Sequence, residues 1–244
     1  MSRAVVRPMR LEDAPHVHGV ASRAFADLEI RFGGAPNLTY DSPAGAKRGL
    51  ARIRHLVTTD PGGAYVAEHS GAVVGAALAL LRDGLWGLSL LVVDPGAQSA
   101  RLGSRLLRAA LHYGSGARGF VILASEDARA LRAYARAGFA LHPAVEGRGE
   151  PHPVEVPAAV RPGGPADLAL TETVDRAVRG AAHGPDIGAL LASGARMLVV
   201  EGRGYAMSSA GELRLLAATD EPAAADLLRA FVAGTPAGQK ASVE

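Results

Sequence analysis

The chain has 244 residues, 48% of them hydrophobic and 20% charged, which suits a soluble protein with one large core or two modest ones. Cysteine is absent, which excludes disulfides and thiol chemistry, and no apolar run reaches the length of a membrane span. The net charge is only +2, Lys47 and Lys240 are the sole lysines, the arginines are scattered, and aromatics make up 5%, so no basic and aromatic stripe for nucleic acid is present.

Met1-Ser-Arg-Ala has no signal-peptide character and leads into a strand-like Val5-Val6-Arg7-Pro8, so the cytoplasm is the default location. Leu11-Glu12-Asp13 opens a helix, with acids in its first turn and Pro15 tolerated there, running to about residue 26. Residues 31–43 carry Gly33, Gly34, Pro36 and Pro43 and read as a loop. A second helix follows over 44–58, with Leu50, Ile53, Leu56 and Val57 on one side, and Thr59-Asp-Pro-Gly-Gly63 ends it. Residues 64–69 and 72–81 are strand-like and are joined by Ser70-Gly71, a hairpin signal; Asp83-Gly84 marks the next turn.

The most informative stretch is Leu88 to Leu107. An apolar strand, Leu88 to Val93, is broken by Asp94-Pro95-Gly96, and Leu102, Leu106, Leu107, Ala110 and Leu111 then fall on one helical face. A strand that turns directly into a helix leaves backbone N–H groups without partners at the positive end of the helix dipole, which suits phosphate oxygens. Gly103 lets a ligand approach the backbone. Gly114 and Gly116 end the helix, Phe120 to Ala124 reads as a buried strand, and Ser125-Glu126-Asp127 starts a helix that stops at Gly138. Strand, helix and strand from 88 to 124 imply parallel neighbours joined by a right-handed crossover.

Residues 146–157, rich in Pro, Gly and charge, read as a linker or a last strand. They separate a domain at 1–145 from a second at 158–244. The second echoes the first. Val6-Arg7-Pro8 with Asp13 is matched by Val160-Arg161-Pro162 with Asp167 at the same spacing, and Tyr65-Val-Ala-Glu68 by Leu198-Val-Val-Glu201. The match is short, and chance is its alternative. In this second copy 212–218 corresponds to the 88–93 strand and 223–232 to the helix after it, with no glycine-bearing phosphate turn between them. Ala241-Ser-Val-Glu244 stands where the next strand is expected, so the copy reads as incomplete or truncated.

These residues resemble the GNAT (Gcn5-related N-acetyltransferase) family. Its cofactor turn, Gln/Arg-x-x-Gly-x-Gly/Ala after a Val-x-Pro strand end, is similar to Val93-Asp-Pro95 followed by Gln98-Ser99-Ala100-Arg101-Leu102-Gly103. Its second motif, Asn-x-x-Ala-x-x-x-Tyr-x-x-x-Gly-Phe, is similar to Asp127-Ala-Arg-Ala130-Leu-Arg-Ala-Tyr134-Ala-Arg-Ala-Gly138-Phe139. The resemblance implies an α/β (α+β) fold, a mixed sheet flanked by helices, with the C-terminal half as a degenerate, incomplete companion copy.

It also implies acetyl-CoA as co-substrate and a small-molecule or peptide primary amine as acceptor. The pyrophosphate would lie on the N–H groups of residues 98–104, Gln98 to Ser104, and the pantetheine along Leu91, Val92 and Val93, with Asp127 beside it. The gap would open where this strand splays from the Phe120 strand, between Val92 and Val121. Tyr134 matches the proton donor to the leaving thiolate, and the flanking motif favours that role over its alternative, an aromatic anchor beside Leu131. Two positions depart from the family. Arg101 replaces glycine; with negative φ its N–H would still serve the cofactor, and its guanidinium could pair with a phosphate. Asp127 replaces asparagine and reads first as a helix cap.

A general base is not legible. The 88–93 strand offers only Ser89, and Glu126, Asp83, Glu29 and Asp41 each read more simply as surface charges. A non-catalytic acyl-CoA-binding or regulatory protein is therefore the alternative function. Asp27, Glu29 and Asp41 hint at a cationic acceptor. His16 and His18 point to different helix faces, the other histidines are isolated, and no metal site is expected. Trp86 reads as core or a pocket wall, Met197 and Met207 as packing, and Asp175 to Arg179 as a solvated helix face, with a place on the acceptor cleft as its alternative. A homodimer is left open.

Overall fold

A computed structural model describes residues 4–33, 42–236 and 238–243. The chain forms two compact units, Met1–Leu141 and His142–Glu244. The first unit contains β1 (Val5–Pro8), α1 (Ala14–Arg31), α2 (Pro43–Thr59), β2 (Ala64–His69), β3 (Ala72–Arg82), β4 (Leu85–Val93), α3 (Leu102–Tyr113), β5 (Gly119–Ile122) and α4 (Ala128–Arg136). Its sheet has the order β1-β2-β3-β4-β5. All neighbours are antiparallel except β4 and β5, which are parallel and joined through α3. The hairpin turns lie where the sequence places them. Ser70 and Gly71 have φ of 50° and 80°, Asp83 and Gly84 46° and 78°, and paired positive φ values match the right-handed twist of the flanking strands.

Strand side chains alternate between two cores. On one face Val66, Ala76, Leu78, Leu90 and Val92 pack with Val17, Val20, Ile53 and Leu56 of α1 and α2. On the other, Ala67, Ala77, Ala79 and Trp86 pack with Leu102, Leu106 and Ala110 of α3. Small side chains on this second face let α3 lie close, and the buried indole satisfies its N–H by donating to the Ala110 carbonyl at 3.1 Å. β4 contains a bulge. Leu78 faces Leu90 and Ala79 faces Leu88, so Ser89 has no partner on β3. The bulge explains why Leu88 belongs to the α3 face and Leu90, two residues on, to the α1–α2 face.

A second buried structure was not legible in the sequence. Asp60, read as part of a helix stop, is 1% exposed. It pairs with the buried Arg82 and also accepts hydrogen bonds from the Leu81 N–H and the hydroxyls of Thr59 and Tyr113. Gly63 is required beside it, because a Cβ there would lie 2.4 Å from the Ala79 carbonyl oxygen.

The second unit contains β6 (Gly147–Gly149), β7 (Val160–Gly163), α5 (Leu168–Arg179), α6 (Pro185–Ala192), β8 (Arg196–Val200), β9 (Gly204–Ser209), β10 (Glu212–Ala218), α7 (Glu221–Ala233) and β11 (Ala241–Val243). Its sheet has the order β6-β11-β10-β9-β8-β7. Strands β7 to β11 repeat the order and directions of β1 to β5, including one parallel pair, β10 with β11. The bulge recurs too: Leu213 faces Ser208 and Leu215 faces Met207, which leaves Arg214 unpaired. So does an ion network. Arg7 bridges Asp13 and Glu68, and Arg161 bridges Asp167 and Glu201, the residues of the sequence echo.

Three expectations need correction. Phe120 and Val121 are 44% and 49% exposed, because β5 is the edge of its sheet rather than a buried strand. Residues 241–243, where the sequence seemed to stop short of a strand, form β11, flanked by β6 from the expected linker. Asp175, expected on a solvated face, is fully buried. It accepts from the Tyr205 hydroxyl at 2.6 Å and from His183, through Nδ1 at 2.8 Å and the backbone N–H at 3.0 Å.

Candidate active site

The site of interest begins where β4 and β5 part. Their pairing runs from Leu85 opposite Gly119 to Leu88 opposite Ile122 and ends there. From the bulged Ser89 onward β4 pairs only with β3 among the described residues. The backbone of Leu90 to Val93 therefore faces a gap on the side away from β3. Leu91 and Val93 send their side chains into the α3-side core and Val92 into the α1–α2 side, so this strand offers the gap its backbone.

Beyond Val93 a short helical turn, Pro95–Ala100, leads to α3. Asp94 caps the turn by accepting from the Gly96 N–H, and Arg23 of α1 pairs with the same carboxylate. Gln98 folds back, its Nε2 donating to the Val93 carbonyl at 3.3 Å. Ser99 and Ala100 complete the turn. Arg101 is the N-cap of α3 and gives it no side-chain cap. The first amides of α3, from Leu102, Gly103 and Ser104, thus stand at a helix start that no capping side chain covers. Leu102 is buried as a core residue and Ser104 is exposed. A Cβ on Gly103 would meet only Val93 Cγ2, at 3.8 Å, so packing within the protein does not demand glycine there.

Arg101 is a correction. Its φ is +54° and its ψ 24°, the left-handed region, not the negative φ expected. The turn into α3 demands that conformation whatever residue occupies it, which is the physical reason glycine suits the position.

Across the gap, Asp127 caps α4 by accepting from the Arg129 N–H at 2.9 Å. Arg31, from the end of α1, and the Arg129 side chain both reach its carboxylate. Burial alone would raise this carboxyl, but the hydrogen bonds from Arg129 and Arg31 outweigh it and hold the group at about 2. Arg129 also reaches back to the other lip, its Nη1 lying 2.5 Å from Gln98 Oε1.

Tyr134 lies one and a half turns further along α4, 7% exposed. Its ring meets Phe139 edge-on at 6.3 Å, and Phe139 packs in turn on Trp86 and Phe120. The Tyr134 hydroxyl has no hydrogen-bond partner among the described residues. Burial pushes its pKa up and the Asp127 charge pushes the same way, so the phenol is a neutral proton donor at pH 7.

Sequence reasoning missed Arg52. From α2 it donates to Ser89 Oγ, from Nη2 at 2.7 Å and from Nε at 3.1 Å, and to the Ser89 carbonyl, clasping the bulged residue. Its helix periodicity gave no signal, since it lies on the polar side of α2. Of the proposed bases, Glu126 is exposed, and Asp83 sits in the β3–β4 turn, at the opposite end of β4 from the 94–101 turn. Asp27, read as a hint of a cationic acceptor, is paired with Arg31, and Asp41 lies outside the described residues. Among the described residues no group of three His, Asp or Glu could hold a metal, and no helix is long and apolar enough to cross a membrane.

Residues 26–139, which span this gap, its turn and Tyr134, match the model of the Acetyltransferase (GNAT) family. Over this stretch, just under half of the chain, the sequence is similar to that family. Two solved structures share the fold over nearly the whole chain. An acetyltransferase-described protein from Pyrococcus horikoshii is 17% identical, with a TM-score of 0.72 over 95% of this chain and 76% of that one. A GCN5-related N-acetyltransferase from Kribbella flavida is 18% identical, with a TM-score of 0.58 over 98% of this chain and 63% of that one. No curated protein matches the sequence. Within residues 26–139, the gap, the uncapped α3 and Tyr134 come from three separate stretches of chain.

Proposed function

We propose that the protein is an acetyl-CoA-dependent N-acetyltransferase and that the N-terminal unit carries the reaction. The parting of β4 from β5 at Leu88, beside a helix start with open amides, is the observation that carries this reading. The pantetheine amides would pair with the free edge of Leu91, Val92 and Val93. The pyrophosphate would accept from the amides between Gln98 and Ser104, where the helix dipole favours negative charge. Asp127 would meet the pantetheine from α4.

A neutral primary amine then attacks the thioester carbonyl carbon. The C–S bond breaks, the amide C–N bond forms, and the thiolate takes its proton from the Tyr134 phenol. The proton shed by the amine nitrogen leaves through water and restores the phenol. No base is required on β4, which from Leu85 to Val93 carries no acid or histidine. The same absence favours the second reading, a non-catalytic acyl-CoA binder.

We further propose that the C-terminal unit is a degenerate copy that binds no cofactor. It repeats the strand order, the bulge and the Arg–Asp–Glu network, but β10 passes to α7 with no intervening turn. Asp220 caps α7 by accepting from the Ala223 N–H and pairs with Arg203, so an internal carboxylate already occupies the place a phosphate would take.

The test is thiol release from acetyl-CoA with a panel of amines. A chain without cysteine contributes no background to a thiol reagent. Tyr134→Phe is expected to bind CoA as the parent does while turnover falls at least about a hundredfold, within the range for a lost proton donor. CoA binding without amine-dependent thiol release would favour the non-catalytic reading. Absence of CoA binding would refute both.

A further inference from the structure

We infer that Arg129 is a ligand for the cofactor's diphosphate, placed at the gap by its contact with Gln98. The inference rests on the cofactor reading above and adds a residue to it. Arg129 stands in the first turn of α4, yet its guanidinium lies on the opposite lip of the gap, 2.5 Å from Gln98 Oε1. Gln98 is fixed in turn on the Val93 carbonyl. The guanidinium is thereby placed at the end of β4 and the beginning of the turn into α3, where the strand edge gives way to the open helix amides.

Its present bonds are of a kind that a phosphate can replace. The one short contact is to a neutral amide oxygen. The two contacts to Asp127 are 3.4 Å and 3.3 Å, at the limit of hydrogen bonding, and Asp127 is also served by Arg31 at 3.2 Å. A phosphate oxygen makes a charge-assisted bond about twice as strong as a neutral one, and the planar guanidinium fork suits two such oxygens. The side chain is 47% exposed, so it can turn without disturbing the core. Moreover, the Gln98–Arg129 contact ties the two lips together across the gap. A cofactor lying along β4 must part them, and exchange of Gln98 for a phosphate offsets that loss.

Arg101 is also exposed at this turn, but its backbone conformation gives its presence a separate consequence, so the two arginines are tested separately. The experiment measures binding of CoA, dephospho-CoA and pantetheine by calorimetry to the full chain and to Arg129→Gln and Arg129→Lys. Arg129→Gln is expected to weaken CoA and dephospho-CoA equally, at least tenfold, and to change pantetheine less than twofold. Arg129→Lys should lie between.

Equal affinity of the parent and Arg129→Gln for CoA would overturn the inference while leaving the cofactor reading intact. So would a matching loss of pantetheine binding, which marks a structural role. A loss confined to CoA would move the contact to the 3′-phosphate and overturn the diphosphate assignment. A parent protein that binds none of the three would refute the cofactor reading, and this inference with it.

Discussion

Arg101 offers the sharpest perturbation, because its backbone and its side chain predict opposite things. The residue sits at φ +54°, ψ 24°. That conformation costs an L-residue about 1–2 kcal/mol and costs glycine almost nothing. Glycine also adds freedom to the unfolded chain, worth about 0.5–1 kcal/mol against the variant. Arg101→Gly should therefore stabilise the first unit by about 0.5–1 kcal/mol, a rise of roughly 1–4 °C in Tm for a unit of this size. Arg101→Ala keeps the strained conformation and should leave the stability within about 0.5 kcal/mol of the parent.

The side chain predicts the reverse order for the ligand. If the guanidinium pairs with a cofactor phosphate, both variants lose about 1–1.5 kcal/mol, or five- to tenfold in CoA affinity. Trp86 is the only tryptophan and is fully buried in the first unit, so its emission reports this unit's unfolding without interference from the second. Titration calorimetry reports the affinity. Tighter CoA binding by Arg101→Gly, with Arg101→Ala unchanged, would refute the phosphate role and make Arg101 a strained replacement for glycine. An unchanged Tm in Arg101→Gly would refute the strain argument.

Other outcomes follow from the same geometry. Gly103→Ala has room for its methyl, should be neutral or stabilising by up to about 1 kcal/mol in a helix, and should weaken CoA at least tenfold; intact affinity would remove Gly103 from the site. Asp60→Ala strands the buried Arg82 guanidinium and three further donors and should cost about 3–5 kcal/mol by Trp86-monitored denaturation; a loss below 1 kcal/mol would mean the cluster is solvated. Acid should unfold both units. Asp13, Asp60, Asp127, Asp175 and Asp220 all titrate below their ordinary range in the folded protein, Asp127 and Asp220 at about 2. Depressed carboxyls stabilise the fold above the unfolded value near 3.9, and that stability is lost as pH falls from about 5 towards 2. A Tm flat from pH 5 to 2.5 would contradict these ion networks.

Much of the fold was legible because it is local. The hairpin turns at Ser70-Gly71 and Asp83-Gly84, the strand, turn and helix from 88 to 113, and the α4 start at Asp127 are each set by short-range rules: period, turn chemistry and caps. The echo of Val6-Arg7-Pro8 in Val160-Arg161-Pro162 was also visible, and the structure supplies its reason, an arginine that joins a carboxylate six residues on to a glutamate at the end of the next strand, Glu68 within β2 and Glu201 just past β8. A small residue spacing carries that pattern, so it survives in the sequence.

What tertiary structure decided depends on partners far apart in the chain. Nothing near Asp60 announces Arg82 and Tyr113, and nothing near Asp175 announces Tyr205; both carboxylates look like surface charges until strands are laid beside helices. The exposure of Phe120 is set by what lies beyond the edge of β5, not by its own apolar sequence. The left-handed turn at Arg101 is imposed by the angle between β4 and α3. The juxtaposition of Gln98 and Arg129, 31 residues apart, exists only because β4 and β5 run parallel and then separate. The sequence by itself determined the elements of the first unit and the two motifs. The pairing of strands decided where those motifs face each other, because hydrophobic period specifies a face and cannot specify a neighbour.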